Sequence, residues 1–173
     1  MRRLAELALI VLWPSYMRAG GTADPRIVLR CWVRQKVLRR NSQVPWPVDP
    51  STVVKAPQRI VRGSRNPGLS VGCYLDGRNG IEIMGNVWIG PYVRLISMNH
   101  DVLDYERYVE DDPIRIERDT WIGAGATILA SVHLGPHTVV AAGAVVTKSF
   151  PDGNQVLAGN PARVVKKLDE YRG

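Results

Sequence analysis

A histidine stands at the start of a charged stretch that interrupts regular apolar spacing. In "VRLISMNHDVLDYERYVEDDPIRI", residues 93–116, strand-like segments flank a polar loop from about residue 97 to residue 113, and His100 lies near its beginning. A neutral imidazole near pH 7 can accept a proton from a hydroxyl group. Another group must hold the second ring nitrogen, and either Asp101 or a loop carbonyl could do so. The sequence leaves that choice open.

A six-residue repeat of aliphatic residues surrounds this loop. After the loop, the repeat positions hold Ile116, Ile122, Ile128, Leu134, Val140 and Val146. Before the loop, they hold Val71, Ile83, Ile89 and Leu95, with Gly77 as the one lapse. Six is a multiple of the two-residue strand period, so these side chains share one face of extended backbone. A repeat of fixed length predicts a solenoid in which each unit buries its face against the next.

The repeat therefore predicts a mainly β chain, a parallel β-helix over residues 51–157. The spacing from Leu95 to Ile116 exceeds three repeats by three residues, so the excess is expected to leave as an excursion loop at about 97–113. Residues 1–50 are expected to form an N-terminal helical, basic segment and linker, and residues 158–173 a short C-terminal extension. Because a rigid scaffold often braces functional loops, His100 is well placed for chemistry.

The net charge of +7 is concentrated near the N-terminus, where residues 26–40 carry no acidic side chain. Since no nucleic-acid motif accompanies this charge, an anionic membrane surface or an acidic small molecule is the expected partner. The apolar run Leu7–Trp13 is too short to span a bilayer and lacks the cleavage site of a signal peptide. Residues 1–40 could make peripheral membrane contact or pack on the end of the coil.

The two cysteines, Cys31 and Cys73, are too few for a disulfide framework. As free thiols they suit a reducing cytoplasm.

Four motifs in a fixed order carry a family resemblance: "SMNHD", "TWIGAGATI", "VVAAGAVVTKSFP" and "LAGNPARVVKKL". From about Val71 to Leu168 the chain resembles the hexapeptide-repeat acyltransferases, whose fold is a left-handed parallel β-helix. The left hand is implied by the resemblance alone, because general rules favour right-handed parallel crossovers. The resemblance also implies a homotrimer, active sites in clefts between subunits, and acetyl-CoA as the acyl donor.

The resemblance assigns His100 to the family's general base. In the galactoside acetyltransferases, a serine hydroxyl occupies the position of Ala124. Because this chain lacks that hydroxyl, a backbone N–H of Gly123 or Ala124 is expected to contact the oxyanion of the tetrahedral intermediate.

The resemblance also assigns cofactor and acceptor positions. Ala142, Thr147 and Lys148 match positions along the pantetheine and adenine path, and Arg163 and Lys166 match basic positions near the CoA phosphates. Cationic side chains are suited to bind phosphate groups. On the acceptor side, Asp76 and Asn79 lie close to the position of an asparagine that contacts the acceptor in sugar acetyltransferases.

The motifs look closest to the sugar and polysaccharide O-acetyltransferases. The expected reaction is therefore acetyl transfer to a sugar hydroxyl in cell-surface glycan synthesis, in the cytoplasm or at the inner face of the membrane. N-acetylation of an amino sugar, and acetylation of serine or of a xenobiotic, remain open.

The same β-helix occurs in gamma-class carbonic anhydrases, which bind zinc through three histidines. This chain has His100, His133 and His137, but the last two are four residues apart and that family spaces them by five. In extended backbone a one-residue shift turns a side chain to the opposite face. No metal is therefore expected. A non-catalytic scaffold is the third alternative, and the cofactor motifs argue against it.

Overall fold

The computed structural model describes residues 24–173, so the apolar run Leu7–Trp13 lies outside the described residues. Helix α1 (Pro25–Trp32) begins after Asp24, whose carboxylate accepts the Arg26 N–H, and a π-helical turn follows at Val33–Val37. The buried Gln35 amide donates to the Val44 and Trp46 carbonyls and accepts the Val48 N–H. These bonds fasten the helical segment to the linker that leads into the coil. Within residues 24–173, no helix is long and apolar enough to cross a membrane.

Short parallel strands wind through three sheets, as expected for a β-solenoid. The first sheet contains β1 (Val53–Lys55), β3 (Tyr74–Asp76), β6 (Arg94–Ile96), β11 (Thr127–Ile128) and β14 (Val145–Val146). The second sheet follows a 3₁₀ turn at Pro57–Arg59 and contains β2 (Ile60–Val61), β4 (Ile81–Ile83), β9 (Ile114–Ile116) and β12 (His133–Leu134). The third contains β5 (Trp88–Ile89), β10 (Trp121–Ile122), β13 (Thr138–Val140), β15 (Gln155–Gly159) and β16 (Ala162–Lys167). The predicted mainly β solenoid with an N-terminal helix is confirmed.

The repeat residues stack into buried columns inside the coil. In the first sheet, Leu95 pairs with Ile128, which pairs with Val146, and all three side chains are fully buried. Burying each such side chain stabilises the fold by about 1.5–3 kcal/mol. The small or β-branched residues that stand two positions before a repeat residue are buried as well: Thr120, Ala126, Val132, Thr138 and Ala144. Val71 departs from the predicted pattern, because it is 40% exposed.

The coil turns at residues in the left-handed backbone region, which recur every six positions. Asp119, Ser131 and His137 have φ of 61°, 60° and 51°, and Gly125 and Gly143 have φ of 69° and 70°. Left-handed φ strains most residue types, and glycine, aspartate and histidine tolerate it better than β-branched residues. The corners therefore explain Gly125 of "GAGAT" and Gly143 of "AAGAV".

The expected excursion between β6 and β9 is an antiparallel hairpin, called here the excursion hairpin (residues 97–113). Its strands are β7 (Asn99–His100) and β8 (Tyr108–Val109), and His100 lies directly opposite Tyr108. The hairpin leaves the coil at Ser97, which is fully buried, and rejoins it at Ile114. It therefore departs from the edge between the first and second sheets.

The C-terminal residues fold back on the coil. Strand β16 pairs antiparallel with β15 after a turn that contains a cis peptide bond between Asn160 and Pro161. This turn returns the chain along the third sheet.

Candidate active site

The His100 imidazole is held by the main chain of its own hairpin. Its Nδ1 atom lies 2.5 Å from the Tyr105 carbonyl oxygen. A carbonyl can only accept a hydrogen bond, so Nδ1 carries a proton, and in the neutral form of the ring the lone pair lies on Nε2. The side chain is exposed, in an open depression lined by Asn99, His100, Asp101, Val102 and Val109. The imidazole is therefore accessible to a molecule in this depression.

Asp101 forms hydrogen bonds with main-chain groups of its own hairpin and not with the His100 ring. Its carboxylate accepts the Leu103 N–H at 2.8 Å, and its own N–H donates to the Arg107 carbonyl at 3.0 Å. Of the two ring partners that the sequence left open, the loop carbonyl is the one in contact with His100. Asp101 helps to shape the tip of the hairpin.

Two further side chains stack behind His100. The Tyr108 ring lies 4.7 Å from the His100 ring, centroid to centroid, at an interplanar angle of 43°. On Tyr108, in turn, lies the Arg78 guanidinium, 4.9 Å from the ring centroid. Such a cation–π contact stabilises the pair by about 0.5–1 kcal/mol at an exposed site.

Arg78 is fixed by Asp76, which was expected at the acceptor site. Arg78 Nη2 lies 2.7 Å from Asp76 Oδ2, and Arg78 Nε lies 2.9 Å from Oδ1. Burial raises the pKa of Asp76, but the hydrogen bonds and charge of Arg78 outweigh burial, and the pKa lies below its usual range. The hydrogen bond to Asp76 raises the pKa of Arg78. The pair is therefore ionised at neutral pH.

Asn79, the other residue expected to contact the acceptor, binds the excursion hairpin. Its side-chain amide donates to the Val109 carbonyl at 2.9 Å, and its N–H donates to Ser97 Oγ at 2.9 Å. Asp76 and Asn79 are both buried, with exposures of 1% and 7%. Their role toward the acceptor stays a prediction, and their observed partners are within the chain.

The two N–H groups expected to contact the oxyanion differ in whether they have a main-chain hydrogen-bond acceptor. The Gly123 N–H donates to the Val140 carbonyl at 2.8 Å and is occupied within the coil. Ala124 is exposed at the next position, and among residues 24–173 its N–H has no main-chain acceptor. Ala124 thus has the available N–H.

The expected cofactor residues are exposed and lie on two edges and one end of the coil. Ala142 neighbours Ala124 at the edge between the third and first sheets, since Ile122 pairs with Val140. Thr147 and Lys148 follow β14 at the edge from which the excursion hairpin departs. Arg163 and Lys166 lie on β16 and pair with Ala158 and Val156 of β15. Within one chain, His100 and Ala124 lie on different edges.

The other two histidines have separate partners. His133 Nε2 lies 3.2 Å from Glu117 Oε1, and His137 Nδ1 lies 2.8 Å from Asn154 Oδ1. His137 is also one of the left-handed corner residues. In the part of the chain from residue 24 onward, no group of three His, Cys, Asp or Glu side chains is arranged to hold a metal ion.

Sequence reasoning missed three residues around His100. The contact of Tyr105 is made by its main chain, which has no signature in the sequence. Arg78 and Tyr108 meet only through tertiary packing across 30 positions. One signal was available for Arg78, because it lies beside Gly77, where the repeat lapses.

Comparison with known proteins agrees with this architecture. Residues 113–148 match the family model described as bacterial transferase hexapeptide (six repeats). A galactoside O-acetyltransferase of Lactococcus lactis is 31% identical over 117 residues, which cover 62% of this chain and 56% of that protein. A 2,3,4,5-tetrahydropyridine-2,6-dicarboxylate N-acetyltransferase of Staphylococcus aureus is 50% identical over 60 residues, 35% of this chain and 25% of that protein.

Among solved structures, a maltose O-acetyltransferase from Clostridium difficile is similar, with a TM-score of 0.51 and 29% identity over 69% of this chain and 60% of that one. The chain spans about half the length of the curated relatives that it matches. The fold and the repeat define a hexapeptide-repeat β-solenoid. The resemblance to the hexapeptide-repeat acyltransferases is confirmed.

Proposed function

We propose that this protein transfers an acetyl group from acetyl-CoA to a sugar hydroxyl, with His100 as general base. The observation that carries the proposal is the hydrogen bond between His100 Nδ1 and the Tyr105 carbonyl. This bond selects the tautomer whose Nε2 can accept a proton, which is the state that a general base needs. The names of the Lactococcus and Clostridium relatives support a sugar hydroxyl as acceptor.

The reaction needs one base and one oxyanion donor. His100 Nε2 takes the proton of the acceptor hydroxyl as its oxygen attacks the thioester carbonyl and forms the tetrahedral intermediate. The Ala124 N–H stabilises the oxyanion, an effect worth about 3 kcal/mol for one donor. Collapse of the intermediate breaks the carbon–sulfur bond, and the CoA sulfur leaves with the proton from the imidazolium ring. The acetyl ester and free CoA are the products.

The proposed site lies between neighbouring subunits of a homotrimer. Because His100 and Ala124 lie on different edges of one coil, a second copy of the chain supplies a simple way to bring base and oxyanion donor together. Acetyl-CoA would extend past Ala142, Thr147 and Lys148. Its phosphates would pair with Arg163 and Lys166, whose side chains are exposed on the last strand.

An amino group is the second candidate acceptor. The 50% identity with the Staphylococcus N-acetyltransferase over 60 residues favours it, although the match covers a quarter of that protein. The same base and oxyanion donor would serve an amine nucleophile. Comparison of sugars with their amino-sugar counterparts as acceptors decides between the two.

We also propose peripheral contact with the inner face of the membrane through residues 1–40, in the service of cell-surface glycan synthesis. In the described part of this segment, Ile27, Val33 and Leu38 are 50%, 42% and 63% exposed among basic residues. Apolar and cationic side chains on one helical surface suit an anionic lipid interface.

The decisive experiment measures CoA thiol release from acetyl-CoA against a panel of sugars. His100→Ala is expected to lower kcat by 10²-fold to 10⁴-fold while acetyl-CoA binding is retained. His137→Asn is the matched control, since it removes a histidine that pairs with Asn154 at the edge between the second and third sheets, away from His100, Ala124 and the expected cofactor residues. Equal activity in wild type and His100→Ala would remove His100 from the mechanism. No acetyl transfer to any acceptor, together with one bound zinc ion per subunit, would favour the gamma-class carbonic anhydrase.

A further inference from the structure

The segment Asp76–Gly80, called here the brace, touches the excursion hairpin at several points. We infer that the brace sets the orientation of the His100 ring, with Arg78 and Tyr108 as positioning residues. This inference rests on the proposed function, in which His100 is the base.

The brace is anchored in the coil by an ion pair between the buried Asp76 carboxylate and the partly exposed Arg78 guanidinium. The Asp76 carboxylate is 1% exposed and receives two hydrogen bonds from the fork of the Arg78 guanidinium, at 2.7 and 2.9 Å. A planar fork bound at two points has little rotational freedom. The position of the guanidinium is therefore fixed by the core of the solenoid.

The fixed guanidinium in turn limits the Tyr108 ring. Tyr108 lies beneath Arg78 and opposite His100 in the hairpin register, where its ring contacts the imidazole. Three successive contacts thus lead from Asp76 in the coil to His100 in the exposed depression. The Tyr105 carbonyl selects the tautomer, and the Tyr108 ring restricts the plane of the imidazole.

A second set of bonds holds the base of the hairpin. Ser97 Oγ donates to the Asp76 carbonyl at 2.5 Å and accepts the Asn79 N–H, while the Asn79 amide binds the Val109 carbonyl. A Cβ atom added at Gly80 would lie 3.0 Å from Pro113 Cβ, so the returning strand packs closely there. Both strands of the hairpin are therefore tied to the brace.

A positioning role of the brace and an acceptor-binding role of Asp76 and Asn79 predict different changes in kcat and KM. If Asp76 and Asn79 bound the acceptor, perturbing the brace would raise the KM for the acceptor. A positioning role acts on the chemical step, so perturbation lowers kcat and leaves that KM nearly unchanged.

The test compares Arg78→Lys and Tyr108→Leu with wild type. Lysine keeps a cation for the buried Asp76 and so avoids an unpaired buried charge, but it lacks the planar fork and the stacked surface. We expect kcat to fall about tenfold in both variants, with the acceptor KM within twofold. Arg107→Lys is the matched control, an exposed arginine on the same hairpin, and should behave as wild type. A raised acceptor KM with unchanged kcat would overturn the inference.

The second readout is the ¹⁵N NMR spectrum of the histidine rings, with His100 assigned from His100→Ala. Wild type should show His100 protonated at Nδ1. Both variants should show a mixture of tautomers, because an imidazole that is no longer held by the Tyr108 ring can turn away from the Tyr105 carbonyl. Unchanged His100 signals in both variants would overturn the inference whatever the kinetics. If wild type transfers no acetyl group to any acceptor, the proposed function fails, and the ring signals alone still decide whether the brace orients His100.

Discussion

Ala124 and Ala142 lie in successive coils at one edge of the solenoid, where the Gly143 N–H donates to the Ala124 carbonyl at 2.9 Å. The proposed oxyanion donor therefore directly adjoins a position expected along the pantetheine path. Small side chains at both positions leave this edge open to a ligand.

Ala124→Ser restores the hydroxyl that galactoside acetyltransferases carry at this position. We expect kcat to rise several-fold, because a second donor would join the backbone N–H at the oxyanion, where one donor is worth about 3 kcal/mol. The measurement is kcat by thiol release, with Ala130→Ser as the control on the following turn. A kcat equal to wild type would mean that the oxyanion does not approach this side chain.

A site shared between subunits predicts complementation. His100→Ala and Ala124→Trp should each be nearly inactive, because one lacks the base and the other blocks the edge beside Ala142. Random mixed trimers should recover about a quarter of the wild-type activity, since one site in four combines intact faces from two subunits. Activity of the co-expressed, purified mixture is the measurement. No recovery would place the whole site within one chain.

The buried columns predict that valine-to-alanine substitutions at a buried and at an exposed repeat position change the free energy of unfolding by different amounts. Val146→Ala removes fully buried methyl groups and should lower the free energy of unfolding by about 2 kcal/mol, whereas Val71→Ala should cost less than about 0.5 kcal/mol. Urea unfolding of both variants measures the difference. Equal losses would contradict the exposed position of Val71.

The buried thiols predict pH-dependent stability. Burial raises the pKa of the Cys31 thiol to about 11 from 9.0, and burial also raises the pKa of Cys73. Below about pH 9 these thiols are neutral in the native and the unfolded chain, so their contribution to stability is fully present. Between about pH 9 and 11 the unfolded chain loses the proton first, and the free energy of unfolding falls.

Urea unfolding of wild type and Cys31→Ala across that pH range checks the sign, since the variant should show a shallower decline. At pH 8 both native thiols should react slowly with a disulfide reagent, so they should not interfere with the measurement of CoA release. Rapid labelling of the native protein would contradict their burial.

The proposed lipid contact predicts a dependence on two arginines of the helical segment. Arg30→Gln combined with Arg34→Gln should weaken co-sedimentation with phosphatidylserine-containing vesicles at least about tenfold, at roughly 1 kcal/mol per cation. Arg59→Gln combined with Arg118→Gln removes the same charge from the coil and serves as the control. Equal binding of both pairs of variants would show that total charge, and not the N-terminal surface, controls sedimentation.

The six-residue period was sufficient to predict the coil because side chains in extended backbone alternate with a period of two. It failed at Val71 for a geometric reason. Ile128 pairs with Val146, 18 residues later, but Leu75 pairs with Leu95 across 20 residues and Val54 with Leu75 across 21. A strict lattice counted backward therefore drifts out of register in the early coils.

The site was less predictable than the fold. The place of the excursion followed from the spacing between Leu95 and Ile116, and His100 followed from the family motif. The Tyr105 carbonyl could not be foreseen, because any residue offers the same main-chain oxygen. The stacking of Arg78 on Tyr108 depends on the pairing of β7 with β8, which the polar sequence of the hairpin did not indicate.

The reversal of direction at β16 changes the edge at which the third sheet ends. A parallel coil ends in an open strand edge that could recruit the next coil of another molecule, and β16 replaces that edge with an antiparallel one. The outer strand carries Arg163, Lys166 and Lys167, all exposed. Like charges along such an edge repel a second copy that approaches end to end. The last strand thus discourages end-to-end addition of a second copy along the third sheet.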